Sequence, residues 1–239
     1  MKVDQFQTSR MEKGNKPATI NRLVATLKHM FTQAVEWEWL EEEAAKRVRK
    51  VKLLEENNRR LRYLCKEEVS NLLRECSNTV KPIVTVALNT GMRKGEILSL
   101  RWENVDLKHG FILLDRTKNG ERREIPINGT VRITIEGLTR RLDVPYVLHD
   151  VETGKRYQDI KKGFNGACRR AGIKDFRFHD LRHTFASHLV MAGQDITTVK
   201  ELLGHKTLGM TLRYAHLAPS HKVKAVALLD DVLRAESTA

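Results

Sequence analysis

The run Phe178-His179-Asp180-Leu181-Arg182-His183-Thr184-Phe185-Ala186-Ser187-His188 (FHDLRHTFASH) places two histidines and an arginine within five residues, then continues into the apolar Leu189-Val190-Met191-Ala192-Gly193. Helical spacing of about 100° per residue sets Arg182 about 60° to one side of His179 and His183 about 40° to the other, so the three share a face. His188 falls about 180° away, beside Leu181 and Phe185, and reads as a satisfied core histidine. From Leu181 to Gly193 the sole Asp, Glu, Lys or Arg is Arg182, whereas a solvated face carries several. The spacing predicts a helix buried on most sides, in which Arg182 needs an anionic or hydrogen-bonding partner. A metal site on His179 and His183 lacks the central Glu of H-E-x-x-H and has an arginine between its ligands. An anionic substrate suits the three better: Arg offers a bidentate fork to phosphate oxygens, and His supplies a donor or acceptor near neutral pH.

The whole chain shares this preference for anions. Its 239 residues carry 43 Lys and Arg against 30 Asp and Glu, a net charge of +13, which points to a polyanionic partner such as nucleic acid. Residues 1–62 hold 14 basic and 9 acidic side chains and the remainder 29 and 21, so the excess is not one tail. The composition (41% hydrophobic, 31% charged) is that of a folded chain with a core, not a disordered one. Three widely spaced cysteines, Cys65, Cys76 and Cys168, contain no C-x-x-C pair and fit a reducing interior. No apolar leader opens the sequence, and no apolar run approaches the ~20 residues that span a bilayer. A cytoplasmic, nucleoid-associated location without a membrane partner is expected.

Around the opening stretch the pattern is mostly helical. Ile20, Leu23, Val24, Leu27, Met30, Phe31, Ala34 and Val35 give a helical period over 17–39, with Pro17 suited to the first turn. A short helix follows, whose Glu41-Glu42-Glu43 run reads as a solvated face because consecutive helical residues point different ways. Residues 51–62 are polar and without period, a linker. Helices are expected from Lys66, over VKPIVTVALNT ending at Gly91, and over RKGEILSL. The period then changes: FILLD and RREIPI read as strands, and Asn119-Gly120 between them marks a hairpin. Helices return at roughly 129–141, 155–171, 179–192, 195–203, 207–215 and 220–235. The fold class is mainly α with a small antiparallel β-sheet.

Three further pieces join the opening stretch. TGMRKGEIL (90–98) has a turn at Gly91, Arg93 at a helix start, and Glu96 three residues on to hold the guanidinium. Leu203-Gly204-His205 is a turn presenting an imidazole, and Tyr214 lies nine residues later in TLRYAHLAP. These boxes, in this order and spacing, resemble the tyrosine recombinase (phage integrase-like) family, closely over 63–220 and more loosely over 17–62.

The resemblance implies a site-specific DNA recombinase or integrase that cuts and rejoins strands through a 3′-phosphotyrosyl intermediate. It implies Tyr214 as nucleophile, Arg93 and Arg182 as stabilisers of transition-state charge, and His205 as a further hydrogen-bond donor. His179 becomes the proton acceptor for the tyrosine, Lys118 in the hairpin the general acid for the leaving 5′-oxygen, and Glu96 and His183 supports. No metal, nucleotide or other cofactor is expected. The organisation it implies is a partial helical core-binding domain (1–50), the linker (51–62), a catalytic domain (63–220) and a tail helix (221–239) that docks on a neighbouring protomer. Partners would be double-stranded DNA, copies of the chain (a monomer when free, a homotetramer on DNA) and accessory directionality proteins. Relatives usually carry a fuller helical domain ahead of the catalytic one, so the N-terminal part here is expected to be truncated. Three rivals remain distinguishable. A type IB topoisomerase would relax supercoils as a monomer, a non-enzymatic DNA-binding relative would have lost Arg93, Arg182 or Tyr214, and a metallohydrolase would be chelator-sensitive.

Overall fold

The computed structural model describes residues 2–56, 60–114, 122–218 and 226. The chain divides into two compact units, Met1–Arg60 and Leu61–Ala239.

The first unit holds three helices, α1 (Lys2–Glu12), α2 (Pro17–Glu36) and α3 (Glu42–Arg49). α2 starts at Pro17, whose missing N–H costs nothing in a first turn, and buries Ile20, Asn21 and Val24. Asn21 acts as a surrogate strand partner: its amide oxygen accepts from the Leu54 N–H and its NH2 donates to the Leu54 carbonyl, both at 2.8 Å. α3 has Glu42 and Glu43 in its first turn and Lys46, Arg47 and Arg49 in its last, the order its dipole favours. α1 is not marked by any apolar period. Its one buried side chain is Gln7, which donates to the Lys52 carbonyl, so three helices rather than two precede residue 51.

The second unit comprises α4 (Lys66–Glu75), α5 (Val80–Thr90), α6 (Lys94–Leu98), the strands β1 (Val105–Asp106), β2 (Phe111–Leu114) and β3 (Arg123–Pro126), then α7 (Gly129–Glu136), α8 (Lys161–Arg170), α9 (Asp180–Met191) and α10 (Ile196–Leu203). α4 is closed by a capping box between Cys65 and Glu68. The sheet is antiparallel in the order β1-β2-β3, with Phe111 opposite Pro126 and Leu114 opposite Arg123. This register agrees with the expected pairing of FILLD and RREIPI; the Asn119-Gly120 turn itself lies outside the described residues. β1 is two residues long, too short for an alternation to announce it, and turns back onto β2 through Gly110 at φ 82°.

α5 is buried on most faces and packs on α7 and α9. It anchors a core including Leu72, Ile83, Ile97, Ile112, Ile125, Ile135, Phe164 and Leu181, where each fully buried large apolar side chain contributes about 1.5–3 kcal/mol. A smaller cluster joins Ala186, Val190, Val199 and Leu203 to the ring of Tyr214.

Two expected helices are corrected. The helix placed over 155–171 starts at Lys161, because residues before it form a turn: the Asp150 carboxylate accepts from Thr153, Gly154 sits at φ 68°, and Arg156 bridges back to His149. The helix placed over 207–215 is instead two 3-10 turns, Leu208–Met210 and Leu212–Leu217. The segment 220–235 lies outside the described residues apart from Val226.

Candidate active site

Arg182 stands where two helices end. α5 closes on Gly91 (φ 62°) and α10 on Gly204 (φ 60°), left-handed conformations that glycine adopts without strain. Arg182, 3% exposed, donates through Nη1 to the Gly91 carbonyl at 2.6 Å and through Nη2 to the Leu203 carbonyl. Its hydrogen-bond partners among the described residues are thus carbonyls at two helix C-termini, each end carrying roughly half a negative charge, and no carboxylate. Both glycines are also required by space. A Cβ on Gly91 would lie 2.5 Å from Phe185 of α9, and one on Gly204 2.5 Å from the Arg123 guanidinium.

Arg93 precedes α6. The Glu96 carboxylate folds back on it, accepting the Arg93 backbone N–H at 2.8 Å and Nη1 at 2.7 Å, as TGMRKGEIL suggests. A third arginine completes the network. Arg123 in β3 donates through Nη2 to Glu96 at 3.0 Å and through Nη1 to the Leu203 carbonyl at 2.6 Å, so that carbonyl receives two guanidiniums. Sequence reading missed Arg123. The available signal was strand alternation, which puts Arg123 on the buried face with Ile125.

The Tyr214 side chain is almost fully enclosed, and its hydroxyl is 2.6 Å from His183 Nδ1. The imidazole on the hydroxyl is therefore that of His183. His179, to which the sequence reading gave the proton, sets its ring edge-on to His183 at 5.1 Å between centroids. His205 Nδ1 pairs with the fully buried Thr211 hydroxyl at 2.9 Å, a second residue that sequence reading missed. His188, as expected of a core histidine, uses Nε2 against the Leu64 carbonyl at 2.8 Å. Lys118 lies outside the described residues. Among the described residues, no group of three or more His, Cys, Asp or Glu gathers as a metal ion requires.

The electrostatics follow from burial and from the arginines. Burial, then Arg93 and Arg123, hold Arg182 down to about 10. Burial together with Arg182, Arg93 and Arg213 lowers His205 to about 3 and moves His179 in the same direction, so both rings are neutral at physiological pH. Burial pushes Tyr214 up to about 12 against the opposing pull of Arg213 and Arg182. Burial also acts against the Glu96 carboxylate, but the Arg93 N–H and the charges of Arg123 and Arg93 outweigh it and keep it below its ordinary value. The site thus gathers three guanidiniums around one carboxylate and two helix-end carbonyls, beside a buried phenol held by His183.

Comparison with known proteins identifies the family and the fold. The sequence profile of the phage integrase family matches residues 62–221. The chain belongs to the phage integrase family. Within it, the integrase of Salmonella phage P22 is 33% identical over 195 residues, which cover 76% of this chain and 50% of that protein. The catalytic domain of bacteriophage HP1 integrase is 34% identical, with a TM-score of 0.58 over 70% of this chain and 95% of that domain. The Tn1549 transposon integrase in complex with transposon right end DNA, 19% identical, shares the fold with a TM-score of 0.74 over 97% of this chain and 84% of that one. The chain spans about half the length of the first curated relatives of the phage integrase family that it matches. No described helix is long and apolar enough to cross a membrane.

Proposed function

We propose that the chain breaks and rejoins DNA strands at a specific site, through a covalent bond between Tyr214 and a 3′-phosphate. The observation that carries this reading is a buried tyrosine hydroxyl, hydrogen-bonded to an imidazole, on the same small domain as two arginines held by helix ends and by a single carboxylate. The phenol oxygen attacks phosphorus, the P–O5′ bond breaks, and the phosphodiester energy stays in the P–O(tyrosine) bond. Rejoining is the reverse attack by a 5′-hydroxyl and needs no external energy source.

The tyrosine proton requires an acceptor, because at about 12 the phenol is not ionised at neutral pH. His183 Nδ1 is the acceptor within hydrogen-bond reach, with the His179 ring edge-on beside it. Arg93 and Arg182 meet the charge that builds on the non-bridging oxygens. With the Thr211 hydroxyl donating to Nδ1, the neutral His205 ring carries its proton on Nε2 and adds a donor without adding charge. Lys118, by family resemblance, protonates the leaving 5′-oxygen. Glu96 supports Arg93. DNA is the partner, and recombination joins several copies on two duplexes through the tail 221–239. The exposed Leu208, Met210 and Leu212 beside the tyrosine turn are suited to being covered in that assembly.

The test uses a nicked duplex, selected from a randomised pool by SDS-resistant capture on the chain, incubated with EDTA. A covalent protein–DNA adduct is expected, and Tyr214→Phe abolishes it. An adduct that persists in the Phe variant refutes the nucleophile.

A further inference from the structure

We infer that Arg123 is a positioning residue for strand cleavage, one that sets both the geometry and the charge of the phosphate cradle without touching DNA. The inference rests on the proposed function and concerns a residue that neither the sequence boxes nor the family resemblance singled out.

The observation is that one buried guanidinium joins two halves of the site. Nη2 holds the Glu96 oxygen that also accepts the Arg93 backbone N–H, and Nη1 holds the carbonyl of Leu203, which also accepts from Arg182. Arg123 thus ties Arg93, Arg182 and the turn leading to His205 together through the sheet, with two short bonds beside the longer direct one from Arg93 Nη2 to the Gly204 carbonyl at 3.4 Å. The Arg123 side chain is 7% exposed, and both its Nη atoms are taken up by Glu96 and the Leu203 carbonyl. Gly204 fits the same account: its missing Cβ leaves the space in which Arg123 lies, 2.5 Å for Nη1 and 2.8 Å for Cδ.

Charge gives Arg123 a second effect. Glu96 alone would neutralise Arg93, and a neutral pair attracts a phosphate weakly. With Arg123 on the same carboxylate, the group Arg93–Glu96–Arg123 keeps one net positive charge, added to that of Arg182. Lysine cannot replace it fully, since an ammonium is a point charge without the planar fork that reaches a carboxylate and a carbonyl in different directions.

The experiment compares the full chain with Arg123→Met and Arg123→Lys, each first shown to unfold cooperatively. On the nicked duplex described above, single-turnover adduct formation at saturating protein is expected to fall by roughly 100-fold in Arg123→Met, the size of effect seen when a transition-state donor is misplaced. Arg123→Lys restores part of the rate, and DNA affinity, which rests on many phosphate contacts, falls by far less than the rate in both. An Arg123→Met rate equal to wild type overturns the inference, and so does a loss that lies wholly in DNA affinity. The Arg93 and Arg182 Nε–Hε signals in nitrogen-15 spectra of the DNA-free protein give a readout independent of cleavage. They are expected to shift in Arg123→Met and to return toward their wild-type positions in Arg123→Lys; unchanged signals in Arg123→Met overturn the inference. Should the wild-type chain form no adduct, the proposed function fails, and these spectra still decide the role of Arg123.

Discussion

Replacing Arg182 with methionine separates what the arginine does for the fold from what it does for chemistry. Burial and the charges of Arg93 and Arg123 hold its pKa at about 10. At 1.36 kcal/mol per tenfold change in proton affinity, this amounts to roughly 3 kcal/mol against the charged form. The sign is that of a base whose folded pKa is depressed: the penalty is fully present below about pH 10, hence at neutrality, and is relieved only as pH rises above that value. Methionine removes the penalty and fills similar space. In return the Gly91 carbonyl loses its donor, a cost of about 1–3 kcal/mol, whereas the Leu203 carbonyl keeps Arg123. The terms nearly cancel, as they often do when a buried charge is exchanged for an apolar side chain. Urea denaturation of Arg182→Met is therefore expected to give a stability within about 2 kcal/mol of wild type with an unchanged m-value. Adduct formation falls by at least about 10²–10³-fold. A stability loss above about 4 kcal/mol at constant m would refute the reasoning, because the helix-end carbonyls would then more than compensate the buried charge.

Two further outcomes follow from the same geometry. Tyr214 has a raised pKa, so the folded state keeps a proton that the unfolded chain releases first; stability is intact below pH 10 and falls as pH rises toward 12, by roughly 2–3 kcal/mol. Alkaline unfolding curves of wild type and Tyr214→Phe should diverge in that window, and parallel curves would exclude the buried phenol. Gly91→Ala combines a left-handed backbone (about 1–2 kcal/mol) with a Cβ 2.5 Å from Phe185, an overpacking cost of about 1–3 kcal/mol. Urea titration is expected to show a loss of about 2–5 kcal/mol, and a loss under about 1 kcal/mol would mean that Phe185 moves aside freely.

Much of the site was legible because its residues follow local rules. Helical angles grouped His179, Arg182 and His183 and removed His188, and the i, i+3 spacing paired Glu96 with Arg93. The same angles could not decide which histidine meets a tyrosine 31 residues from His183, since that depends on how the turn after α10 packs. Arg123 was hidden by its type: in a basic chain an arginine beside a hairpin reads as solvated, and only burial beside Ile125 distinguishes it from Arg122. α1 was illegible because its fully buried side chain is not apolar but Gln7, which is held by a distant carbonyl. The segment 207–217 kept a helical appearance in sequence, but its i to i+3 bonds, such as Thr211 N–H to the Leu208 carbonyl, wind it more tightly.

The double anchorage of Arg182 also orders events in time. Its two carbonyl partners lie 91 residues before it and 21 residues after it in the chain. As synthesis proceeds at about 5–20 residues per second, α9 leaves the ribosome before the second anchor does. Until α10 has emerged and closed on Gly204, Arg182 has half its ligands, the Leu203 carbonyl is missing for Arg123, and neither His205 nor Tyr214 is in place. The complete arginine and imidazole cluster is thus the last feature this unit assembles, after all of its other helices have formed.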